Sequence, residues 1–386
     1  MNMAQYTPAT PNAFDENLIP EDIVEQYFEE YIGGTPLSDF MGEDMSSIIY
    51  LRDVNTGDGS SVNIPFARDI DYENPTTGYD QLEGNEQDIV VQYDQVSIKP
   101  YRFADGLQAI RFVKTLTPVN IFDMLRPQLM RASKKSLVRQ ILDTICGLPS
   151  KGGIYTPSTN IPSYDRAIAA GTVTDINDTR EHWSGSNINA MVAAYAGGAT
   201  YDANGLSVDH IRKLKDYAIS GGAFDLYEPE HKITPTEILT KNNFPMEKYV
   251  YLIDPLSKNS LVKDPQWSGL LYQGMTRGEY QPESISGARC LGEVEGVMIY
   301  ECPELAKYRI TSNGKKSAWN LFLGAQAFVL AWAERPVFDV EYKDYRFNVG
   351  MAVSEIRGQK ALMYPSTQTP NGQVEHGILH SFVRIG

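Results

Sequence analysis

Alternating apolar and polar residues mark two short strands in the first quarter of the chain. The stretches 47–54 and 61–68 both alternate with a period of two, which is typical of strands whose faces meet different environments. Gly and Asp residues lie between them, with a turn at 57–60, and this composition favours a hairpin. The pattern therefore predicts that the two stretches pair with each other.

A longer alternating stretch follows at 89–103. Val91 and Tyr93 are out of phase with Val96 and Ile98, which predicts a long strand interrupted by a bulge. The three strands are mostly polar on both sides. We therefore expect an extended projection that is stable only where another surface covers it.

The longest helical pattern lies at 118–146. Pro118 favours its start, and Gly147 favours its end. Pro127 falls inside the pattern and predicts either a kink or a helix that begins within 122–126. One apolar stripe has helical spacing: Ile121, Leu125, Leu129, Leu137, Ile141 and Ile145.

The remainder predicts compact α/β structure after a segment rich in Gly, Ser, Thr, Asn and Pro at 148–205. Ser207 is a helix N-cap, and Gly221 ends that helix. A capping-box pattern at 234–237 predicts a second helix start. The other predicted elements are a strand at 249–253, a helix at 255–262, a strand at 296–302, an apolar run from 319, and alternating stretches at 338–342 and 345–353.

Acidic and basic residues lie in separate blocks of the chain. The first 51 residues contain ten Asp and Glu and no Lys or Arg, whereas residues 99–151 contain ten Lys and Arg and three acids; the whole chain carries −15. The acidic segment is also rich in apolar residues, and Pro20 favours a helix start there. We expect a docked arm rather than a free tail, with these candidate contact residues: Phe14, Asp15, Glu16, Glu21, Asp22, Ile23, Glu25, Tyr27 and Phe28.

The sequence lacks the common motifs of catalytic, metal-binding and nucleotide-binding sites. It contains no GxSxG, HExxH, P-loop or GxGxxG pattern, and its three cysteines form no CxxC pair. His376 and His380 have i, i+4 spacing, but Glu375 is the only carboxylate close in sequence, and a closed metal site needs more ligands. We predict no enzyme activity, no cofactor and no metal. The negative charge disfavours binding to nucleic acid or to anionic membranes. The basic stretch 99–151 is the exception, since it fits either a nucleic-acid face or an acidic partner protein. No apolar run is long enough to span a bilayer.

The order of these elements resembles that of tailed-phage major capsid proteins of the Hong Kong 97 type. Three segments look like the coat-protein branch typified by phage N-four: KYVYLIDPLSKNSLVKDPQW (248–267), LGEVEGVMIYECPE (291–304) and the long stretch from NLFLGAQ to KALMY (320–364). The resemblance covers most of 45–365. It implies an α+β capsid fold with an N-arm, an extended E-loop hairpin, a P-domain with a long spine helix, and an α/β A-domain.

The resemblance also implies a division of the chain. The expected regions are the N-arm (1–46), E-loop (47–105), P-domain spine helix (106–150), insertion or surface loop (151–205), A-domain (206–316), and P-domain return strands with a C-terminal tail (317–386).

A capsid protein of this type self-assembles into hexamers and pentamers that form an icosahedral shell around double-stranded DNA. The expected location is the virion capsid, with the host cytoplasm during assembly. The implied further partners are scaffold, portal and cement proteins, and DNA only through weak nonspecific contact. An encapsulin-like compartment shell is the alternative, and an unrecognised enzyme is a third reading.

Two expectations concern contacts between subunits. Some members of the family link their shells through an isopeptide bond from an E-loop lysine. The first lysine of this chain is Lys99, near the end of the expected E-loop, so residues 1–98 contain no lysine that could form such a bond, and we predict a non-covalent shell. The second expectation is that the acidic arm or E-loop of one subunit lies against the basic helix of a neighbour. The helix residues proposed for that contact are Arg126, Arg131, Lys134, Lys135 and Arg139.

Overall fold

The computed structural model describes twelve segments of the chain. They are residues 37–54, 61–66, 92–107, 121–146, 181–183, 205–221, 232–239, 245–269, 290–312, 315–343, 348–365 and 373–385. The chain divides into two compact units. The first contains Met1–Ser38, Pro100–Leu137 and Glu334–Ile356, and the second contains Asp39–Lys99, Val138–Ala333 and Arg357–Gly386.

The described elements are mainly strands. The strands are β1 (Met41–Gly42), β2 (Ile49–Asp53), β3 (Ser61–Phe66), β4 (Gln92–Leu107), β5 (Glu181–Trp183), β6 (Thr236–Leu239), β7 (Pro245–Ile253), β8 (Cys290–Val294), β9 (Val297–Glu301), β10 (Ile310–Ser312), β11 (Lys315–Leu323), β12 (Phe328–Lys343), β13 (Asn348–Ala361), β14 (Met363–Pro365), β15 (Gln373–Glu375) and β16 (Ile378–Ile385). The α-helices are α1 (Ile121–Ile145), α2 (Val208–Ser220) and α3 (Pro255–Val262), with 3-10 turns at Ser38–Phe40 and Pro303–Tyr308.

A six-stranded sheet has the order β1-β2-β12-β13-β4-β3. β2 lies between β1 and β12 and is parallel to both, with Ile49 opposite Phe328 and Asp53 opposite Trp332. β3 pairs instead with β4, in antiparallel register. The predicted hairpin between the first two strands is therefore wrong. Alternation specifies a strand but not its partner, and the apolar start of β12 provides a buried neighbour for β2.

The ribbon formed by β3 and β4 is regular. Its register runs without a shift from Ser61 opposite Ser97 to Phe66 opposite Gln92, so the bulge predicted between Tyr93 and Val96 is wrong. The out-of-phase Tyr93 lies on the outer face, where it is 68% exposed. The opposite face has a core within the same chain: Val62, Ile64, Phe66 and Val96 pack with Val329, Leu362, Tyr364 and Val374. This stretch of the predicted projection therefore does not depend on another molecule for its covering.

The second unit contains an eight-stranded sheet. Its main order is β5-β16-β11-β7-β9-β8, and β10 and β6 pair with β11 and β7 respectively. β7, β9, β11 and β16 supply most of the buried residues around Tyr251, Phe322 and Val383. The apolar run from 319 is divided between β11 and β12 by a turn at 324–327, where Gly324 approaches Thr234 so closely that an added Cβ would lie 2.4 Å from its carbonyl oxygen.

The helix start predicted at 234–237 is wrong, because these residues enter β6. β6 pairs with β7, with Thr236 opposite Lys248. The Thr236 hydroxyl donates to the Ser46 carbonyl (2.6 Å). The capping-box pattern is short, and a strand partner nearby outweighs it.

The three α-helices follow the sequence pattern more closely. α1 begins at Ile121 and continues through Pro127, so it starts one residue before the predicted range. α2 begins after Ser207, whose side chain accepts from the His210 amide, and ends at Gly221 with φ 78°. α3 spans the predicted residues, with the Asp254 side chain accepting from the Leu256 amide at its start. None of the described helices is long and apolar enough to cross a membrane.

Candidate intersubunit surface

The exposed face of α1 is strongly basic. Arg131, Lys135 and Arg139 are exposed and Lys134 is half-buried. The three exposed residues are four positions apart, so they lie along one face of the helix. Like charges at i, i+4 destabilise a helix by about 0.2–0.5 kcal/mol per pair. An acidic partner on this face would remove that penalty.

From residue 138 onward α1 belongs to the second unit, and one face of this half of the helix is buried. Val138, Ile141 and Leu142 are fully buried. Asp143 is also buried and accepts from the Tyr308 hydroxyl (2.6 Å) and the Lys307 ammonium (3.0 Å). Burial and the neighbouring Asp143 carboxylate raise the pKa of Tyr308, which therefore stays a hydrogen-bond donor.

A second set of polar contacts joins α1 to β13. The Arg357 guanidinium, which is fully buried, donates to the side-chain oxygens of Gln140 and Gln359. The Gln359 amide donates to Thr144 Oγ1 (3.0 Å) and to the Gln140 carbonyl (3.3 Å). Because these buried donors and acceptors form hydrogen bonds with one another, this half of the helix is held in one orientation. Sequence analysis missed Arg357, since nothing in its neighbourhood marks a basic residue as buried.

The described residues include only one side of the predicted contact. Arg131, Lys134, Lys135 and Arg139 are on α1 as expected. Arg126 is in the helix, but its side chain lies outside the described residues, and so do all nine candidate arm residues between 14 and 28. The contact between arm and helix therefore stays a prediction. Most of 151–205 also lies outside the described residues, apart from β5, which pairs in parallel with β16.

A buried polar network in the second unit contains the residue types of a hydrolase site. The Ser381 hydroxyl is 2.9 Å from His210 Nε2 and 2.9 Å from the Tyr251 hydroxyl. The Asn320 amide donates to the Tyr251 hydroxyl at 3.3 Å, and burial raises the pKa of Tyr251. Ser381 is fully buried, so its hydroxyl has no access to a substrate, and the network is structural.

The adjoining pair of Asp254 and Arg309 is the second feature that sequence analysis missed. Arg309 donates to both carboxylate oxygens of Asp254 at 3.0–3.2 Å. Asp254 is fully buried, and its side chain also accepts from the Leu256 amide at 2.9 Å. The residues Asp254 and Pro255 signalled the helix start, but no local signal pointed to a partner 55 positions away.

The two histidines with metal-like spacing have other contacts. His380 Nε2 is 2.7 Å from a Glu375 carboxylate oxygen, and its Nδ1 accepts from the Trp319 indole N–H at 3.1 Å. The His376 ring packs against Phe66 with centroids 4.9 Å apart. Among the described residues, no group of three or more His, Cys, Asp and Glu side chains could hold a metal ion.

Comparison with known proteins gives consistent matches across the chain. A family model described as phage capsid protein matches residues 21–379. The major capsid protein of Pseudomonas phage KPP25 is 24% identical over 384 residues, covering 93% of each chain. The capsid of Ralstonia phage GP4 has a TM-score of 0.65 at 17% identity, covering 90% of each chain. The capsid asymmetric unit of cyanophage Pam1 has a TM-score of 0.60 at 16% identity, covering 92% of this chain and 93% of that one. At these low identities the structural likeness concerns the fold.

Proposed function

Because this chain belongs to the phage capsid protein family, we propose that it is a major capsid protein whose copies close into the icosahedral shell of a phage virion. The family match over 21–379 is the observation that carries this proposal. The family is structural and is not an enzyme family. The encapsulin-like alternative is not favoured, because the matched relative and the similar solved structures are named as phage capsid proteins or capsids.

The finer proposal is a Hong Kong 97-type subunit of the branch typified by phage N-four. It would assemble as hexamers and pentamers around double-stranded DNA. In this scheme residues 1–46 form the N-arm, 47–105 the E-loop, 106–150 the spine-helix region, 206–316 the A-domain and 317–386 the return strands with the C-terminal tail. The long helix α1 and the strand-rich second unit support this scheme. Scaffold, portal and cement proteins are proposed as further partners.

We place one contact between copies on the basic face of α1. In this proposal the basic face of α1 binds the acidic arm of a neighbouring copy. Residues 1–51 contain ten acids and no Lys or Arg. Each exposed ion pair contributes only about 0–1 kcal/mol. The charges would therefore set register and orientation, while apolar arm residues such as Tyr27 and Phe28 would supply most of the affinity.

Assembly of the purified full-length chain tests the proposed function. We expect closed particles of uniform size by negative-stain electron microscopy and a fast-sedimenting species by ultracentrifugation. Monomers at every concentration and salt condition would contradict it.

A charge-reversal pair tests the proposed contact. Arg131→Glu with Lys135→Glu should abolish or strongly weaken assembly while the subunit keeps its circular dichroism and unfolding midpoint. Lys213→Glu with Lys263→Glu is the matched control, because both lysines are exposed and the change in net charge is the same. If the two double variants assemble equally well, or fail equally, the basic face of α1 has no special role.

A further inference from the structure

Three polar side chains form a chain of hydrogen bonds on the face of the eight-stranded sheet that is turned away from the core around Tyr251. The Trp319 indole N–H donates to His380 Nδ1 at 3.1 Å, and His380 Nε2 is 2.7 Å from a Glu375 carboxylate oxygen. Trp319 and His380 are only 3% and 7% exposed. The contact between indole and imidazole is therefore almost completely removed from water.

The backbone holds these three residues in place. Trp319 lies on β11 opposite Phe382 of β16, and the centroids of their rings are 5.2 Å apart. His380 is two positions before Phe382 and therefore shares its face of the strand. Glu375 ends β15, and in the turn that follows the Gly377 carbonyl accepts a backbone hydrogen bond at 2.8 Å. All three side chains are thus positioned by strands and a hydrogen-bonded turn.

The two contacts define where the imidazole of His380 has its proton. An indole N–H can only donate, so His380 Nδ1 is the acceptor and has no proton. The ring proton is then on Nε2, which donates it to Glu375. The imidazole in this arrangement is neutral. A second proton can be added only at Nδ1, where it would point at the N–H of Trp319.

His210 has a different kind of partner, although it is as deeply buried as His380. Its Nε2 is 2.9 Å from the Ser381 hydroxyl, and a hydroxyl can either donate or accept. Ser381 can therefore turn its proton away from a charged His210 ring and keep the hydrogen bond. The indole of Trp319 has no such alternative. Protonation of His380 must remove the hydrogen bond with Trp319.

Other titratable or charged residues lie near these three, on neighbouring elements and on β16 itself: Glu181, Asp143, Cys146, Lys307 and Arg384. Asp143 and Lys307 form an ion pair at 3.0 Å. Burial, together with the nearby carboxylates, raises the pKa of the Cys146 thiol, which therefore stays neutral. Glu375 favours a charged His380 ring, whereas burial and the Trp319 N–H favour the neutral one. The observed contact with Trp319 is that of the neutral ring.

We propose that Trp319 and His380 form an acid-sensitive latch between β11 and β16, which is closed at neutral pH and opens when His380 gains a proton. Below the ordinary imidazole pKa of ~6.5 the unfolded chain takes up this proton freely. The folded chain can take it up only by losing the Trp319 hydrogen bond. The latch therefore stabilises the second unit fully above about pH 6.5, and this contribution is lost as the pH falls. It belongs to the single subunit and does not depend on whether the chain forms shells.

His380→Gln tests the latch in the unassembled full-length subunit. The glutamine amide oxygen can accept from Trp319 and its NH2 group can donate to Glu375, but the side chain does not titrate. Between pH ~7.5 and pH ~5.5 the unfolding equilibrium constant of the wild type should rise about tenfold more than that of the variant. Urea unfolding followed by circular dichroism at each pH measures both. An equal pH response in the two proteins would overturn the proposal.

Trp319→Phe separates the latch from simple burial of the histidine. Phenylalanine keeps an aromatic ring beside Phe382 but has no N–H, so His380 Nδ1 can take up a proton without losing a partner. The variant should be less stable than the wild type at neutral pH and should respond to acid about as weakly as His380→Gln. If Trp319→Phe keeps the full wild-type response, burial alone explains the pH dependence and the latch is refuted.

Nuclear magnetic resonance of subunits with isotopically labelled histidine reads the proton position directly, without relying on the stability of Trp319→Phe. The imidazole signal of His380 is identified by its loss in His380→Gln. At pH ~7.5 it should be that of a neutral ring with its proton on Nε2. A doubly protonated ring, or a proton on Nδ1, at this pH would overturn the proposal.

Discussion

Replacing Asp254 by Asn tests how the buried ion pair stabilises the second unit. Asn has nearly the same size and keeps an oxygen that can accept from the Leu256 amide, so the change mainly removes the charge that faces Arg309. The Asp254 side chain is fully buried, and that of Arg309 is 25% exposed. Removing one partner of a buried pair costs 3–5 kcal/mol. Because water reaches part of Arg309, we expect the lower end, about 3 kcal/mol.

Asp209→Asn is the matched control. It removes the same charge from an ion pair with Arg212 at 3.2 Å, but the Asp209 side chain is 60% exposed. Pairs of this kind contribute about 0–1 kcal/mol and weaken as salt is added. Both variants therefore remove one carboxylate charge from an Asp–Arg pair, and they differ in how deeply that carboxylate is buried.

Equilibrium urea unfolding of unassembled subunits, followed by tryptophan fluorescence at pH 7, measures both effects. Asp254→Asn should lower the midpoint strongly with an unchanged slope, and the loss should persist at high salt. Asp209→Asn should shift the midpoint slightly or not at all. Equal losses in the two variants would refute the reasoning, because burial would then not govern the strength of the pair.

Three further predictions follow from single features. Glu237 and Glu247 are exposed and directly opposite each other across β6 and β7. Replacing one of these like charges in Glu247→Lys should raise the free energy of unfolding by about 0.2–1 kcal/mol. A lower free energy of unfolding for this variant in urea would contradict the prediction. Burial raises the pKa of Cys302 to about 12 and that of Cys146 well above its usual value, whereas unfolded thiols ionise near pH ~8.5. The contribution of these buried, neutral thiols to the free energy of unfolding is therefore constant below that pH and declines as pH rises toward 12, because the unfolded thiols lose their protons first. The urea midpoint should fall less with rising pH in a Cys146→Ala, Cys302→Ala variant than in the wild type. Shells should run on denaturing gels at the 43.1 kDa monomer mass, because residues 1–98 contain no lysine; a ladder of linked subunits would show that the shell is covalent.

Local signals in the sequence determined the elements that depend on local chemistry. Ser207 and Gly221 defined α2, and Asp254 with Pro255 defined the start of α3, because a cap hydrogen bond and a left-handed residue involve only neighbours in the chain. The apolar stripe predicted part of the buried face of α1, including Leu137 and Ile141, but not the equally buried Val138 and Leu142. The order of elements was also sufficient to indicate a phage capsid protein, and the match over 21–379 shows that family. The Hong Kong 97 type and the branch typified by phage N-four stay predictions.

Only the tertiary structure decided which strands pair and which polar groups are buried. The pattern of β2 fits any strand partner, and β12 is almost 280 positions further along the chain. Thr236 entered a strand rather than a helix because β7 is beside it. The pairs Asp254 with Arg309 and Arg357 with Gln140 likewise depend on residues far apart in sequence. Local propensity contains no information about such neighbours, so burial and charge pairing appear only once the chain is folded.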